Sequence, residues 1–299
     1  MIERLSLIVE SRCLRLKGRG SGLTLVTVLA LIVALMPSPG GTLLAQWPNQ
    51  PNPRIPRTSD GKPDLAAPPP RTAAGKVDFS GVWNYAGVLG FRGGPPPPPP
   101  GTPPEATFWN IEAGIKEGLP FTPFGRELRR QRMARNSADN PDAACLPLGY
   151  MQLHTHSQPR KIIQTNDLIV ILYEANAGVR QIFMDGRPAP PKDAQPWWFG
   201  YSRGSWDGDT LVVESTNFRD EGWLDVNGAP LTTEGKLIER FRRVNTGRLE
   251  IDVTIDDPKA YTKPWTVRVN QRLLADTDLI EFVCNENELF QPWLKKQQP

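Results

Sequence analysis

The chain has 299 residues, with 35 Lys+Arg against 32 Asp+Glu, long enough for one large domain or two small ones. Residues 1–45 hold 5 of the basic residues and 2 of the acidic ones, so the remainder carries 30 of each. A neutral body has no electrostatic footprint for a nucleic acid or an anionic membrane surface, and neither partner is expected.

At the N-terminus, Arg12, Arg15, Lys17 and Arg19 precede an uncharged apolar stretch of 14 residues, Leu23 to Met36, followed by Pro37, Gly40, Gly41 and Leu43-Leu44-Ala45-Gln46. A spanning helix needs about 20 apolar residues. The pattern predicts a secretory signal peptide over residues 1–45, cut after Ala45, with no stable membrane anchor left after cleavage and a periplasmic or secreted location. Cys13 leaves with the signal, and Cys145 and Cys284 remain. An even pair in an oxidising compartment predicts a disulfide; two buried free thiols or a metal-binding pair are the rival readings.

Residues 46–77 read as a proline-rich linker, and 88–104 as a Pro/Gly-rich loop containing the run Pro95 to Pro100. That run favours polyproline II, either as a spacer or as a docking segment for a proline-motif partner. Between them, "VDFSGVWNYAG" (Val77 to Gly87) predicts a short strand. Residues 105–142 read as a helical insertion: Thr102-Pro103-Pro104-Glu105 resembles a capping box opening a helix that ends near Gly118, and Thr122-Pro123 can start a second. The second carries Arg126, Arg129, Arg130, Arg132 and Arg135, read as a solvated face.

After Cys145 the apolar period becomes two. "LEIDVTIDD" sets Leu249, Ile251, Val253 and Ile255 against Glu250, Asp252, Thr254 and Asp256. Strands are expected near 160–164, 168–174, 179–184, 200–206, 209–216, 235–244, 248–255, 265–274 and 278–283. Their short connections, rich in Gly, Asn and Asp, imply antiparallel neighbours. The expected fold is mainly β: one domain over 78–299, an antiparallel up-and-down barrel, which leaves no open sheet edge. Asp207 and Gly208 are expected as the centre of a type I′ turn, leaving Asp207 and Asp209 at an exposed tip.

"DFSGVW" (Asp78 to Trp83) resembles the Gly-x-Trp opening of lipocalin and avidin barrels, which implies that Trp83 plugs one barrel end. As a set, "DFSGVW", "CLPLG", "RQIFMDGR", "WDGDTLVVES", "ERFRR", "TIDDPKAYTKPW" and "CNEN" resemble a large group of exported bacterial proteins without an assigned activity. The resemblance implies export and the cysteine pair, and it supplies no catalytic residue.

His154 and His156, in "MQLHTHSQ", could chelate one metal from alternate positions of a strand, given a third ligand from Glu174 or Asp185. The plainer reading is a polar pair at a strand entrance, and no cofactor is expected. Arg180 and the Asp185-Gly186-Arg187 turn could gather arginines at a barrel mouth to hold a carboxylate, or serve as cross-strand ion-pair partners of Glu174 or Glu239. Alternation through Glu239, Arg240, Arg242 and Arg243 requires at least one inward charge, and Arg240 is the candidate. No Ser-His-acid spacing, phosphate loop or dinucleotide fingerprint is present. There are nine tryptophans; Trp83 and Trp198, with Arg203, Glu214 and Arg240, form the expected ligand-binding set, Arg203 and Glu214 entering it if the hairpin faces are the reverse of the expected core face of Trp206, Leu211 and Val213. The functional expectation is a lipocalin-like protein binding a small, largely apolar molecule. The alternative is an enzyme (lyase, isomerase or hydrolase) using Glu174, Arg180, Asp185 or Arg240 in the same cavity, and the third reading is docking through the proline run.

Overall fold

The computed structural model describes residues 49–87, 100–191 and 193–286. Residues 1–45, where a signal peptide is expected, and the proline run up to Pro99 lie outside the described residues. In chain order the elements are β1 (Gly81–Tyr85), α1 (Pro123–Ala134), α2 (Tyr150–Thr155), β2 (Arg160–Gln164), β3 (Leu168–Tyr173), β4 (Val179–Phe183), β5 (Tyr201–Asp207), β6 (Thr210–Thr216), β7 (Gly222–Trp223), β8 (Pro230–Leu231), β9 (Lys236–Asn245), β10 (Arg248–Asp256) and β11 (Trp265–Leu273).

Nine of these strands close into a barrel in the order β1-β11-β10-β9-β6-β5-β4-β3-β2, while β7 and β8 form a small hairpin outside it. The alternation read from the sequence becomes inside and outside: Ile251, Val253, Val267 and Val269 are almost fully buried. Each such side chain contributes about 1.5–3 kcal/mol of transfer free energy. The meander is antiparallel except at one seam. β4 and β5 run parallel, with Ile182 opposite Ser202 and Phe183 opposite Arg203. The chain between them, residues 184–200, is long enough to return to the starting end, which a short turn cannot do.

The β5–β6 hairpin pairs Asp207 with Thr210, Trp206 with Leu211 and Gly204 with Val213. Its centre is therefore Gly208-Asp209, one residue later than expected, with Gly208 at φ +58 supplying the left-handed conformation. The slip moves each partner by two residues, so the faces are unchanged. Asp207 and Asp209 are exposed at the tip and paired with Arg240 and Arg71.

Three further expectations are corrected. No helix forms over 105–118. β1 ends at Tyr85, leaving the upper part of β11 without a β1 partner, and the extended chain at Pro104 to Ala106 takes that edge through Arg268 N to Pro104 O and Ala106 N to Arg268 O, both 2.8 Å. Residues 278–283 form no strand; they run to Cys284, whose disulfide to Cys145 has a Cα–Cα distance of 5.6 Å. Residues 49–77 are not a free linker: Ile55 and Val77 are buried in the same core as the barrel.

That segment is a tandem repeat. Pro56 to Asp64 and Pro70 to Asp78 both read Pro-Arg-Thr-x-x-Gly-Lys-x-Asp. Each copy forms the same hairpin, with Thr58 N to Lys62 O, Gly61 N to Thr58 O and Asp64 N to Pro56 O matched by Thr72 N to Lys76 O, Gly75 N to Thr72 O and Asp78 N to Pro70 O. Arg57 clips to Asp276 after β11, and Arg71 to Asp209 of the β5–β6 turn. The strap crosses the barrel end at which β1 begins. Behind it Trp83 is wholly buried, its Nε1 donating to Phe79 O at 2.9 Å and the Arg243 guanidinium 4.8 Å above its ring. Phe79, Trp206 and Phe241 complete this apolar end.

Candidate functional site

The opposite end of the barrel is polar, and α2 fills it. All six residues from Tyr150 to Thr155 are buried. The preceding Gly149 makes this docking possible, because a Cβ there would lie 1.7 Å from Trp223 O. Gln152 Oε1 accepts from Gly149 N at 3.2 Å, satisfying one main-chain donor at the helix start.

Of the β9 charges, Glu239 and Arg243 share the inward parity and Arg240 does not; Arg243 lies over Trp83 at the apolar end and Glu239 at the polar end. Its carboxylate accepts from Tyr150 Oη at 2.6 Å, His154 Nε2 at 2.9 Å and Arg180 Nη1 at 3.2 Å, with a second ion-pair contact from Arg180 Nη2. Arg180 also donates to Ser202 Oγ at 3.1 Å and Ser215 Oγ at 3.2 Å, and its guanidinium lies 4.7 Å from the centre of the Tyr150 ring. Thus β4, β5, β6, β9 and α2 each contribute to one buried network. Burial opposes ionisation of Glu239, but the Arg180 charge and His154 outweigh it and bring the carboxyl to about 2. Burial pushes Tyr150 well above its ordinary value, so it stays a phenol and donates. Burial likewise lowers His154, against the pull of Glu239. A neutral imidazole facing an ionised carboxylate must carry its proton on Nε2, which leaves Nδ1 as an acceptor.

That acceptor has no protein partner among the described residues. Nor do two other atoms beside it. Arg160 Nη1 and Gln271 Nε2 converge on one carbonyl, His154 O, at 2.7 and 3.4 Å, while Arg160 Nε and Gln271 Oε1 are buried without a hydrogen bond. All three side chains are at most 1% exposed. Most buried polar atoms are satisfied, so three orphans around the C-terminal end of α2 make this the candidate site within the lumen. It offers one guanidinium N–H donor and two acceptors. Gln152 Nε2, at the other end of the helix, is also unpartnered.

Of the residues singled out from sequence, the structure places Arg180 and His154 in this network and Trp83 at the sealed end. His156 follows α2 as its half-buried C-cap, its ring edge-on to Phe108, so the two histidines do not alternate on a strand. Among the described residues no group of three or more His, Cys, Asp or Glu is placed to hold a metal. Glu174 is buried at the end of β3, where its carboxylate takes Ile280 N at 3.2 Å. Asp185 is on the outside, paired with Arg187. Arg203 and Glu214 pair with each other on the outer face at 2.6 Å, and Arg240 reaches Asp207 in solvent. Trp198 lies under the Arg219 guanidinium, 4.4 Å from its ring centre. These outward positions correct the expected ligand-binding set: in β5, β6 and β9 the inward register belongs to Ser202, Leu211, Val213, Ser215, Leu237, Glu239, Phe241 and Arg243.

Tyr150, Arg160, Ser202, Ser215 and Gln271 were not singled out from sequence. The available signal was parity: Gln271 falls between Val269 and Leu273, and Glu239 between Leu237 and Phe241, each a polar residue in an apolar register. Among the described residues no helix is long and apolar enough to cross a membrane. A comparison with protein-family models finds no match, and no curated protein matches the chain.

Proposed function

We propose that the protein is exported and holds one small, largely apolar molecule in the polar half of its barrel, the polar end of that molecule resting against His154, Arg160 and Gln271. The observation that carries this reading is the set of three buried, unpartnered atoms on those side chains. A buried polar group left unmade costs about 1–3 kcal/mol, and three in one place are accounted for by a bound group that completes them. Barrels of about this size are either filled by side chains or hold one small ligand. The resemblance of "DFSGVW" to the lipocalin and avidin opening supports the same reading, and the Cys145–Cys284 disulfide supports export.

Because the three side chains are buried, exchange requires local opening, and a resident molecule stays through gentle purification. Native mass spectrometry of the mature protein tests this: a discrete added mass, released on denaturation, is expected. Only the bare polypeptide mass, together with no stabilisation by any small molecule in a thermal-shift screen, overturns the reading.

An enzyme in the same cavity is the second reading, and one observation favours it. Glu239 orients His154 with Nδ1 free to take a proton, the arrangement of a carboxylate-supported general base. Turnover of the molecule identified above, lost in a folded His154→Gln variant, would establish it.

A further inference from the structure

Two guanidinium groups, Arg160 and Arg180, share the polar half of the lumen with Glu239, which Arg180 engages; the other buried carboxylate at this end, Glu174, accepts from Gln158 Nε2 and Ile280 N. Arg160 reaches only main-chain carbonyls, His154 O at 2.7 Å and His156 O at 3.4 Å, and forms no ion pair among the described residues. Those carbonyls end α2, so Arg160 caps the helix with its two terminal nitrogens. Capping leaves Nε–H unused. Desolvation of a cation is offset by pairing or hydrogen bonding; Arg132 and Arg243 are also buried on main-chain carbonyls, but Arg160, at 1% exposed, is the most deeply buried of the three.

Resting on the binding reading above, we infer that the ligand is a small hydroxy acid: a carboxylate that supplies the missing negative charge at Arg160, with a neighbouring hydroxyl donating to His154 Nδ1 or Gln271 Oε1. A simple carboxylate satisfies Arg160 and leaves two acceptors facing an anion. A neutral alcohol or amide satisfies the acceptors and leaves the cation unbalanced. An amine in place of the hydroxyl would put a second cation beside Arg160. In a hydroxy acid the carboxylate meets the charge of Arg160 and the single hydroxyl proton meets one of the two acceptors.

Three probes of one carbon skeleton separate the parts: mandelate, phenylacetate, which lacks the hydroxyl, and mandelamide, which lacks the charge. Titration calorimetry against the intact, disulfide-bonded protein is expected to give mandelate the tightest binding. Each analogue should be weaker by roughly 10- to 100-fold, the range carried by hydrogen bonds to charged groups. Arg160→Gln is expected to erase the advantage of mandelate over mandelamide, and Gln271→Leu to shrink its advantage over phenylacetate. Arg160→Lys keeps the charge if Arg160→Gln fails to fold, and should retain a preference for the acids.

Equal binding of mandelate and mandelamide, with a response to Gln271→Leu, leaves the binding site standing and overturns the hydroxy-acid inference. So does an Arg160→Gln variant that loses stability but keeps the preference for mandelate, which makes Arg160 a helix cap alone. Failure of all three probes, with no co-purifying mass, overturns the site and the inference together.

Discussion

Glu239→Gln removes one charge from the centre of the barrel and little else. Wild-type Glu239 is fully buried and accepts from Tyr150, His154 and Arg180. The amide keeps the shape but leaves Arg180 as a buried guanidinium facing no carboxylate and gives back only one acceptor oxygen. Breaking a buried pair from one side costs about 3–5 kcal/mol, out of a total stability of about 5–15 kcal/mol. With a urea m value of about 3 kcal/mol/M for a chain of this size, the midpoint should fall by about 1–1.7 M. The assay is urea unfolding followed by tryptophan fluorescence, with the disulfide intact in both proteins. The partner test is Arg180→Met with Glu239→Leu. Removing both charges leaves neither stranded, so the double variant should be about 2 kcal/mol or more better than the two single losses added together. A Glu239→Gln protein within about 0.5 kcal/mol of wild type would refute the network as an energetic unit.

Asp207→Asn breaks the Arg240 pair at the hairpin tip, where both side chains are largely in solvent, and should change stability by less than about 1 kcal/mol in the same assay. Gly149→Ala should cost at least about 2 kcal/mol, because the new methyl meets the Trp223 main chain, whereas Gly61→Ala, at φ +81 with open space around it, should cost about 1 kcal/mol; equal effects would contradict the docking of α2. Removing the disulfide with paired serine substitutions opens a loop of 139 residues and should lower stability by up to about 5 kcal/mol in the chain-entropy model, a loss below about 1 kcal/mol being inconsistent with it. Acid should act in two stages. Burial holds His154 below its ordinary 6.5, and Glu239 lies at about 2 against an ordinary 4.5. Both are depressed in the fold, so the unfolded chain binds more protons as pH falls: stability is complete above 6.5, declines first through His154 and then, below 4.5, through Glu239. A urea midpoint constant from about pH 7 to 5 would contradict the buried neutral histidine.

The barrel was legible because its strands alternate cleanly. Arg160–Gln164, Thr210–Thr216 and Arg248–Asp256 fall within a residue of where the pattern sets them. Local signals failed where a distant partner decided. A capping-box pattern before residue 105 lost to the open edge of β11, and the chain after Asp278 followed a disulfide instead of a ladder. The parallel seam at β4–β5 could not be read either, since direction there depends on how a 17-residue connection returns. For the site, alternation shows which residues share a face but not which face is inward. Choosing Arg240 over Glu239 reversed that choice in β9, whereas in the β5–β6 hairpin the expected core face of Leu211 and Val213 is the inward one. The helical His154 was hidden more deeply: a six-residue helix carries too few turns for an amphipathic period, and its place in the lumen depends on Gly149 meeting Trp223. The duplicated Pro-Arg-Thr-x-x-Gly-Lys-x-Asp hairpin was in plain view as a repeat of 14 residues, obscured by the prolines around it.

The central claim is that a bound molecule partners Arg160 Nε and at least one of the two orphan acceptors beside α2. A high-resolution crystal structure of the mature protein, purified without denaturation, tests it most directly. The account predicts density for a small molecule within hydrogen-bond distance of Arg160 Nε and at least one of His154 Nδ1 and Gln271 Oε1. Protein side chains turned to satisfy all three atoms, or isolated waters at each, would contradict it.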